Sequence, residues 1–238
     1  VTPPAAGKWM LWNCVEADPV KKGTAYFVGT KYKTDDYTPY IFVTNDYGKS
    51  WKKITNGIAP THFTRCLRAD KKRPGLLYCG TEYGMYISFD YGENWKPFQL
   101  NLPMVPITDL TIKNNDLVVA TQGRSFYILD DLSVVQNLHQ NITKSDIGIF
   151  PPDDAWRMNG SQNLNAKNAG INAPNGVVIN YWLGNVGDSS LVKIFVLDKD
   201  HKIIRSFSTK PSGDTGKIEV SKGMNQFVWD MHYAPAEK

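Results

Sequence analysis

Short apolar runs, each closed by turn-forming residues, mark the chain from Trp12 to Leu129 as a succession of β-strands. Trp12 to Ala17, Ala25 to Thr30, Tyr40 to Val43 and Trp51 to Ile54 form a first set of four. Phe63 to Ala69, Leu76 to Thr81, Met85 to Ser88 and Trp95 to Gln99 form a second. Ile107 to Lys113, Asp116 to Thr121 and Ser125 to Leu129 form a third set of three.

The sets are copies of one unit. Thr44-Asn45-Asp46-Tyr47-Gly48-Lys49-Ser50-Trp51 recurs as Ser88-Phe89-Asp90-Tyr91-Gly92-Glu93-Asn94-Trp95, 44 residues later. Upstream, Ala25-Tyr26-Phe27-Val28-Gly29-Thr30 parallels Leu76-Leu77-Tyr78-Cys79-Gly80-Thr81, with Asp116 to Thr121 as a third copy. A β-type repeat of roughly 40 to 50 residues is the period of propeller blades. In the turn, Asp46 and Asp90 are placed to accept backbone N–H bonds, Gly48 and Gly92 permit positive φ, and Trp51 and Trp95 cover the hairpin. These six residues read as a structural staple rather than as catalytic groups.

The third unit replaces this turn with Leu129-Asp130-Asp131-Leu132, lacking Gly and Trp, and reads as a degenerate terminal blade. Rings of this kind usually need about 4 to 8 blades, so three leave sheet faces open. The remaining blades are expected from the same parent protein or from a partner chain.

Past Asp131 the pattern changes. Leu132 to Leu138 reads as a short helix or an irregular closure, and Pro151-Pro152 marks an exit from the repeat. An Asn-rich stretch without apolar pattern follows. From Gly176 short strands resume at Val177 to Leu183, Leu191 to Leu197, Ile203 to Thr209, Lys217 to Val220 and Gln226 to Asp230. The expected fold is all-β: blades over residues 1–150, a linker over 151–175, and an immunoglobulin-like sandwich over 176–238.

A net charge of +4, with basic residues clustered only at Lys71-Lys72-Arg73, gives no footprint for nucleic acid. No apolar run is long enough to span a membrane, and the N-terminus, without initiator Met or signal-like stretch, reads as cut from something longer. Cys14, Cys66 and Cys79 have no metal-ligand spacing. Cys66 and Cys79 stand on the two arms of a hairpin, where a disulfide is conceivable but small buried thiols are the favoured reading. No metal and no cofactor are expected.

The two Asp turns, together with Ala120-Thr121-Gln122-Gly123-Arg124-Ser125-Phe126-Tyr127-Ile128-Leu129-Asp130-Asp131, resemble the bacterial neuraminidase-repeat (Asp-box) proteins with sortilin-like propellers. Gly223 to Asp230 resembles a late strand of the sandwich that follows the propeller in exported bacterial proteins of the glycosyl hydrolase-like type. The resemblance implies an exported protein, periplasmic or at the cell surface. It also implies architecture better than activity. A sialidase would need an arginine triad, and Arg124 stands alone; a sortilin-type receptor would have cysteines after the propeller, and none follows Cys79.

Alternating strand direction puts the loops between second and third strands, and the crossovers between blades, on the side opposite the Asp turns. That side collects Tyr32, Tyr37, His62, Glu82, Tyr83 and Arg124 as candidate ligand-binding residues for a glycan or a protein. Asp35, Asp36 and Glu82 are the acids there from which a glycosidase pair, about 5 to 10 Å apart, would be drawn. The expected function is a non-catalytic binding or scaffold portion. The alternative is the C-terminal fragment of a glycoside hydrolase with most catalytic acids on absent blades.

Overall fold

The computed structural model describes residues 2–138, 142–156, 174–187 and 189–233, and nearly all regular structure in them is β. The chain divides into two compact units, Val1–Leu132 and Ser133–Lys238. No helix among the described residues is long and apolar enough to cross a membrane.

The first unit contains three antiparallel sheets, each a meander in chain order. The first is built from β1 (Leu11–Ala17), β2 (Ala25–Lys31), β3 (Asp36–Thr44) and β4 (Lys52–Lys53), and the second from β5 (Thr64–Ala69), β6 (Leu77–Thr81), β7 (Gly84–Ser88) and β8 (Lys96–Pro97). The third has β9 (Ile107–Lys113), β10 (Asp116–Thr121) and β11 (Phe126–Leu129). Alternation of side chains sends one row of each sheet to each neighbour. Tyr26, Val28, Ile41 and Val43 of the first sheet meet Leu67, Ala69, Leu77, Cys79, Tyr86 and Trp95 of the second in one buried core. On the second sheet's other face, Cys66 and the position of Gly80 abut Ile107. A Cβ at Gly80 would lie 2.6 Å from Cys66 Sγ and 2.7 Å from Ile107, so only glycine lets the third sheet approach there.

The register corrects one alignment read from sequence. Tyr26 pairs with Val43, and Tyr78 pairs with Ile87. Tyr26 donates to Asp18 Oδ2 at 3.0 Å and Tyr78 to Asp70 Oδ2 at 3.4 Å, so Tyr26 corresponds to Tyr78. The two Gly-Thr pairs, Gly29-Thr30 and Gly80-Thr81, are thus one position out of phase. A one-residue slip exchanges the two faces of a strand, and the face assignment depends on this correction. It also explains the thiols: Cys66 lies opposite Gly80 and Cys79 opposite Leu67, on opposite faces, and both are free. Burial pushes the Cys66 thiol up to about 12.

The second unit holds α1 (Ser133–Gln136), β12 (Ile147–Ile149), β13 (Val177–Leu183), β14 (Lys193–Leu197), β15 (Ile203–Ser208), β16 (Gly216–Lys217) and β17 (Gly223–Trp229). They form two three-stranded sheets, β12-β13-β17 and β14-β15-β16, the β15–β16 pairing being parallel. Phe207 and Phe227 bridge the sheets with ring centroids 4.5 Å apart. Two features depart from the expected boundaries. Ile147–Ile149, placed with the blades by sequence, pairs with β13, and the compact units divide after Leu132. Most of the expected linker, residues 157–173, lies outside the described residues.

Candidate functional site

Two kinds of recurring geometry stand out, one on each side of the sheet stack. On the first side, the Asp turns are built alike. Asp46 accepts from the Ser50 N–H at 2.8 Å, the Ser50 hydroxyl at 2.6 Å and the Thr44 hydroxyl at 2.8 Å. Asp90 accepts from the Asn94 N–H at 2.9 Å, Asn94 Nδ2 at 2.8 Å and the Ser88 hydroxyl at 2.8 Å. These donors hold the Asp46 carboxyl down to about 2 and lower that of Asp90 despite its partial burial. Tyr47 and Tyr91 take φ 59° ahead of Gly48 and Gly92. Each tyrosine N–H bonds back to a glycine carbonyl, of Gly23 and Gly75, at 3.0 and 2.9 Å. A Cβ at Gly23 or Gly75 would stand 2.9 or 2.8 Å from that tyrosine ring, a requirement sequence inspection passed over.

The tryptophans differ. Trp95 is buried, and its indole donates to the Ile54 carbonyl of the preceding sheet at 2.9 Å. Trp51 packs on Phe27, with centroids 4.6 Å apart, and its Nε1, also shielded from solvent, has no acceptor. The third sheet has no such tryptophan. A cavity of about 70 Å³ lined by Phe98, Leu100, Leu117, Val119 and Tyr127 occupies the corresponding junction with the second sheet.

On the opposite side, five of the six candidate ligand residues come together around Phe63. Tyr32 stacks on Phe63 at 5.3 Å and 14°, and Tyr37 leans against it at 6.1 Å. The Arg65 guanidinium covers the same ring at 5.3 Å and bonds through Nε to Glu82 at 2.6 Å. His62 lies 4.9 Å from the Tyr83 ring and bonds through Nδ1 to the Tyr86 hydroxyl at 2.9 Å. Burial lowers the pKa of His62, keeping the imidazole neutral near pH 7. Tyr32, Tyr37 and Tyr83 remain 38%, 45% and 47% exposed. Arg124, exposed in the β10–β11 turn, joins none of these contacts.

Phe63 and Arg65 were not singled out from sequence. Each begins or sits in a strand that reads as ordinary β; the crossover from β4 to β5 brings Phe63 under Tyr32, and the antiparallel pairing of β5 with β6 sets Arg65 beside Glu82. Asp36, one of the acids considered, accepts from the Tyr40 hydroxyl at 2.6 Å and from the Thr38 N–H at 3.0 Å. Those donors and nearby Lys31 hold its carboxyl below the usual range despite partial burial. Asp35 is the left-handed cap of a short helical turn.

Arg65 also borders a polar cleft of about 330 Å³ where β1, β5 and β9 meet. Its centre is Arg68, which bonds Asp109 Oδ1 at 2.7 Å, the Leu67 carbonyl at 2.8 Å and Cys14 Sγ at 3.0 Å, with Glu16 at 3.8 Å. One guanidinium thus ties the innermost strands of three sheets. Burial raises the Glu16 carboxyl, although Glu16 accepts the Ala69 N–H and faces Arg68.

A scan against protein-family models finds no match, and a search of curated proteins finds none. Among solved structures, the chain is similar to YCF48 bound to a D1 peptide, at 20% identity and TM-score 0.37, over 51% of this chain and 37% of that one. It is similar to the GH74 xyloglucanase of Xanthomonas campestris, at 15% and 0.41, over 50% and 22%. The GH74 enzyme of Niastella koreensis is similar at 12% and 0.42, over 72% and 28%. The matches span well under half the length of each of these proteins.

Proposed function

We propose that residues 11–129 are consecutive blades of a β-propeller with Asp-box turns, and that this portion binds a ligand without transforming it. The supporting observation is the ledge around Phe63. Three tyrosine rings keep an open face, two of them braced from behind by Phe63 and one by His62, with the Arg65–Glu82 pair between. Rings held this way offer flat apolar faces at little entropic cost, and the ion pair offers donors and acceptors alongside, which suits saccharide rings. Two sheets joined by Phe207 and Phe227 support reading the second unit as a sandwich of the immunoglobulin type.

A hydrolytic role draws no support from these acids. Glu82 is committed to Arg65, and Asp36 to Tyr40 and Thr38. The Asp36 carboxyl is held below its ordinary range, the opposite of what a general acid needs.

Affinity electrophoresis in gels containing soluble neutral polysaccharides tests the reading. At least one polysaccharide retards the chain, and Tyr32→Ala and Tyr83→Ala each weaken retention up to about tenfold, as expected for one stacked ring. Retention unchanged in both variants, or none with any polysaccharide, refutes it.

A further inference from the structure

We propose that the outward face of the first sheet is the seat of one more four-stranded sheet of the same repeat, whose trailing loop presents a main-chain carbonyl to Nε1 of Trp51. The inference rests on the repeat reading above, not on the ligand.

The contact already made by the second sheet supplies the template. It seats on the first through Leu67, Ala69, Leu77, Cys79, Tyr86 and Trp95, all buried. With Tyr26 matched to Tyr78, the corresponding positions on the outward face of the first sheet are Val15, Ala17, Ala25, Phe27, Phe42 and Trp51. Every one is apolar. The pairing confirms that they share a face: Val15 lies opposite Phe27, and Phe27 opposite Phe42. Phe42 is covered, with the Trp12 ring against it, but Val15 is 59% exposed, Ala17 is exposed, and Ala25, Phe27 and Trp51 are only half-buried. A surface row of this composition, repeating a buried one position by position, marks an interface.

Trp51 identifies the occupant. Its counterpart Trp95 reaches the Ile54 carbonyl, which follows β4 of the preceding sheet, and the Trp95 N–H bonds the Asn56 carbonyl of the same loop at 2.8 Å. Trp51 Nε1 is shielded but unbonded, a donor lacking the acceptor that this loop provides one repeat later. The occupant therefore has a fourth strand and a loop after it. The third sheet of a second copy does not qualify, because its far face, with Phe126 and Ile128, ends at Leu129 without either.

The test inserts a further copy of residues 11–63, the first sheet and the connection after it, ahead of Leu11 in the otherwise complete chain. A second design inserts residues 55–106 at the same place. Hydrogen exchange of the original Trp51 indole is read by NMR. Docking slows it at least 100-fold relative to the unextended chain in one design or both. Val15→Lys in the original sheet removes that protection while leaving the melting of the unextended chain unchanged, because Val15 is exposed there. Failure of both designs to protect Trp51, including by not folding, overturns the proposal. A concentration-dependent dimer of the unextended chain, abolished by Val15→Lys, also overturns it by giving the face to a second copy. Polysaccharide retention of the unextended chain is measured separately, so loss of one reading does not carry the other.

Discussion

Trp95 and Trp51 hold the same position in successive repeats but meet different surroundings, so replacing each by Phe is a matched experiment. In Trp95→Phe the Ile54 carbonyl loses its indole partner in a buried setting, a loss of about 1–3 kcal/mol. The smaller ring also leaves a void of roughly 40 Å³, which costs about 1 kcal/mol at about 24 cal/mol per Å³. The sum is about 2–4 kcal/mol. Trp51→Phe deletes a donor that bonds nothing and trims a half-buried ring, so its cost stays under about 1 kcal/mol. Urea unfolding followed by circular dichroism resolves the two. With a slope of about 2 kcal/mol per molar urea, Trp95→Phe lowers the midpoint by about 1–2 M and Trp51→Phe by less than about 0.5 M. Equal shifts would show that the bond to Ile54 carries nothing and that the contrast between repeats has no energetic content.

Gly57→Ala and Gly123→Ala form a second pair. Both glycines have positive φ, but a Cβ at Gly57 meets the Trp95 carbonyl oxygen at 2.2 Å while one at Gly123 meets nothing. Thermal melting is expected to show about 1 kcal/mol for Gly123→Ala and at least about 3 for Gly57→Ala. Asp46 and Asp90 have folded pKa values below 3.8, so their contribution is present above that value and lost as pH falls through it toward about 2. Acid titration of Asp46→Asn should therefore lose part of the slope between about pH 4 and 2; an unchanged profile contradicts the bonding described. His62 is depressed from 6.5, so its contribution is present above 6.5 and lost as pH falls below it, and His62→Gln should flatten stability over that range in a pH series of melts. At pH 8 a disulfide-exchange reagent should leave Cys66 and Cys79 unmodified until urea is added, since both are buried and their thiols are held protonated.

The repeat was legible because the Asp turn leaves a local signature: a carboxylate, a glycine two residues on and a tryptophan five on, the carboxylate being held by bonds inside one hairpin. What escaped depended on partners distant in sequence. Gly23 and Gly75 have positive φ and in addition lie under a tyrosine ring from the far turn, while Phe63 meets Tyr32 through a crossover and Arg65 meets Glu82 through the pairing of β5 with β6. The conspicuous Gly-Thr pairs drew the first copy into a false register, whereas the less visible Asp18–Tyr26 and Asp70–Tyr78 bonds fix the true one. Ile147–Ile149 escaped because three residues beside prolines carry no alternation to read, and its partner strand lies beyond the Asn-rich stretch.

The tie from Trp95 to Ile54 makes the second sheet depend on the first, and Ile107 packs the third against the second, so the first unit behaves as a short linear lattice with nearest-neighbour coupling. Cooperativity in such a lattice is greatest inside and least at the margins. The second sheet, coupled on both faces, becomes the last element to open. The third, with a void of about 70 Å³ where its tie would sit, becomes the first to fray, and unfolding proceeds inward from it as a travelling boundary rather than as a single event.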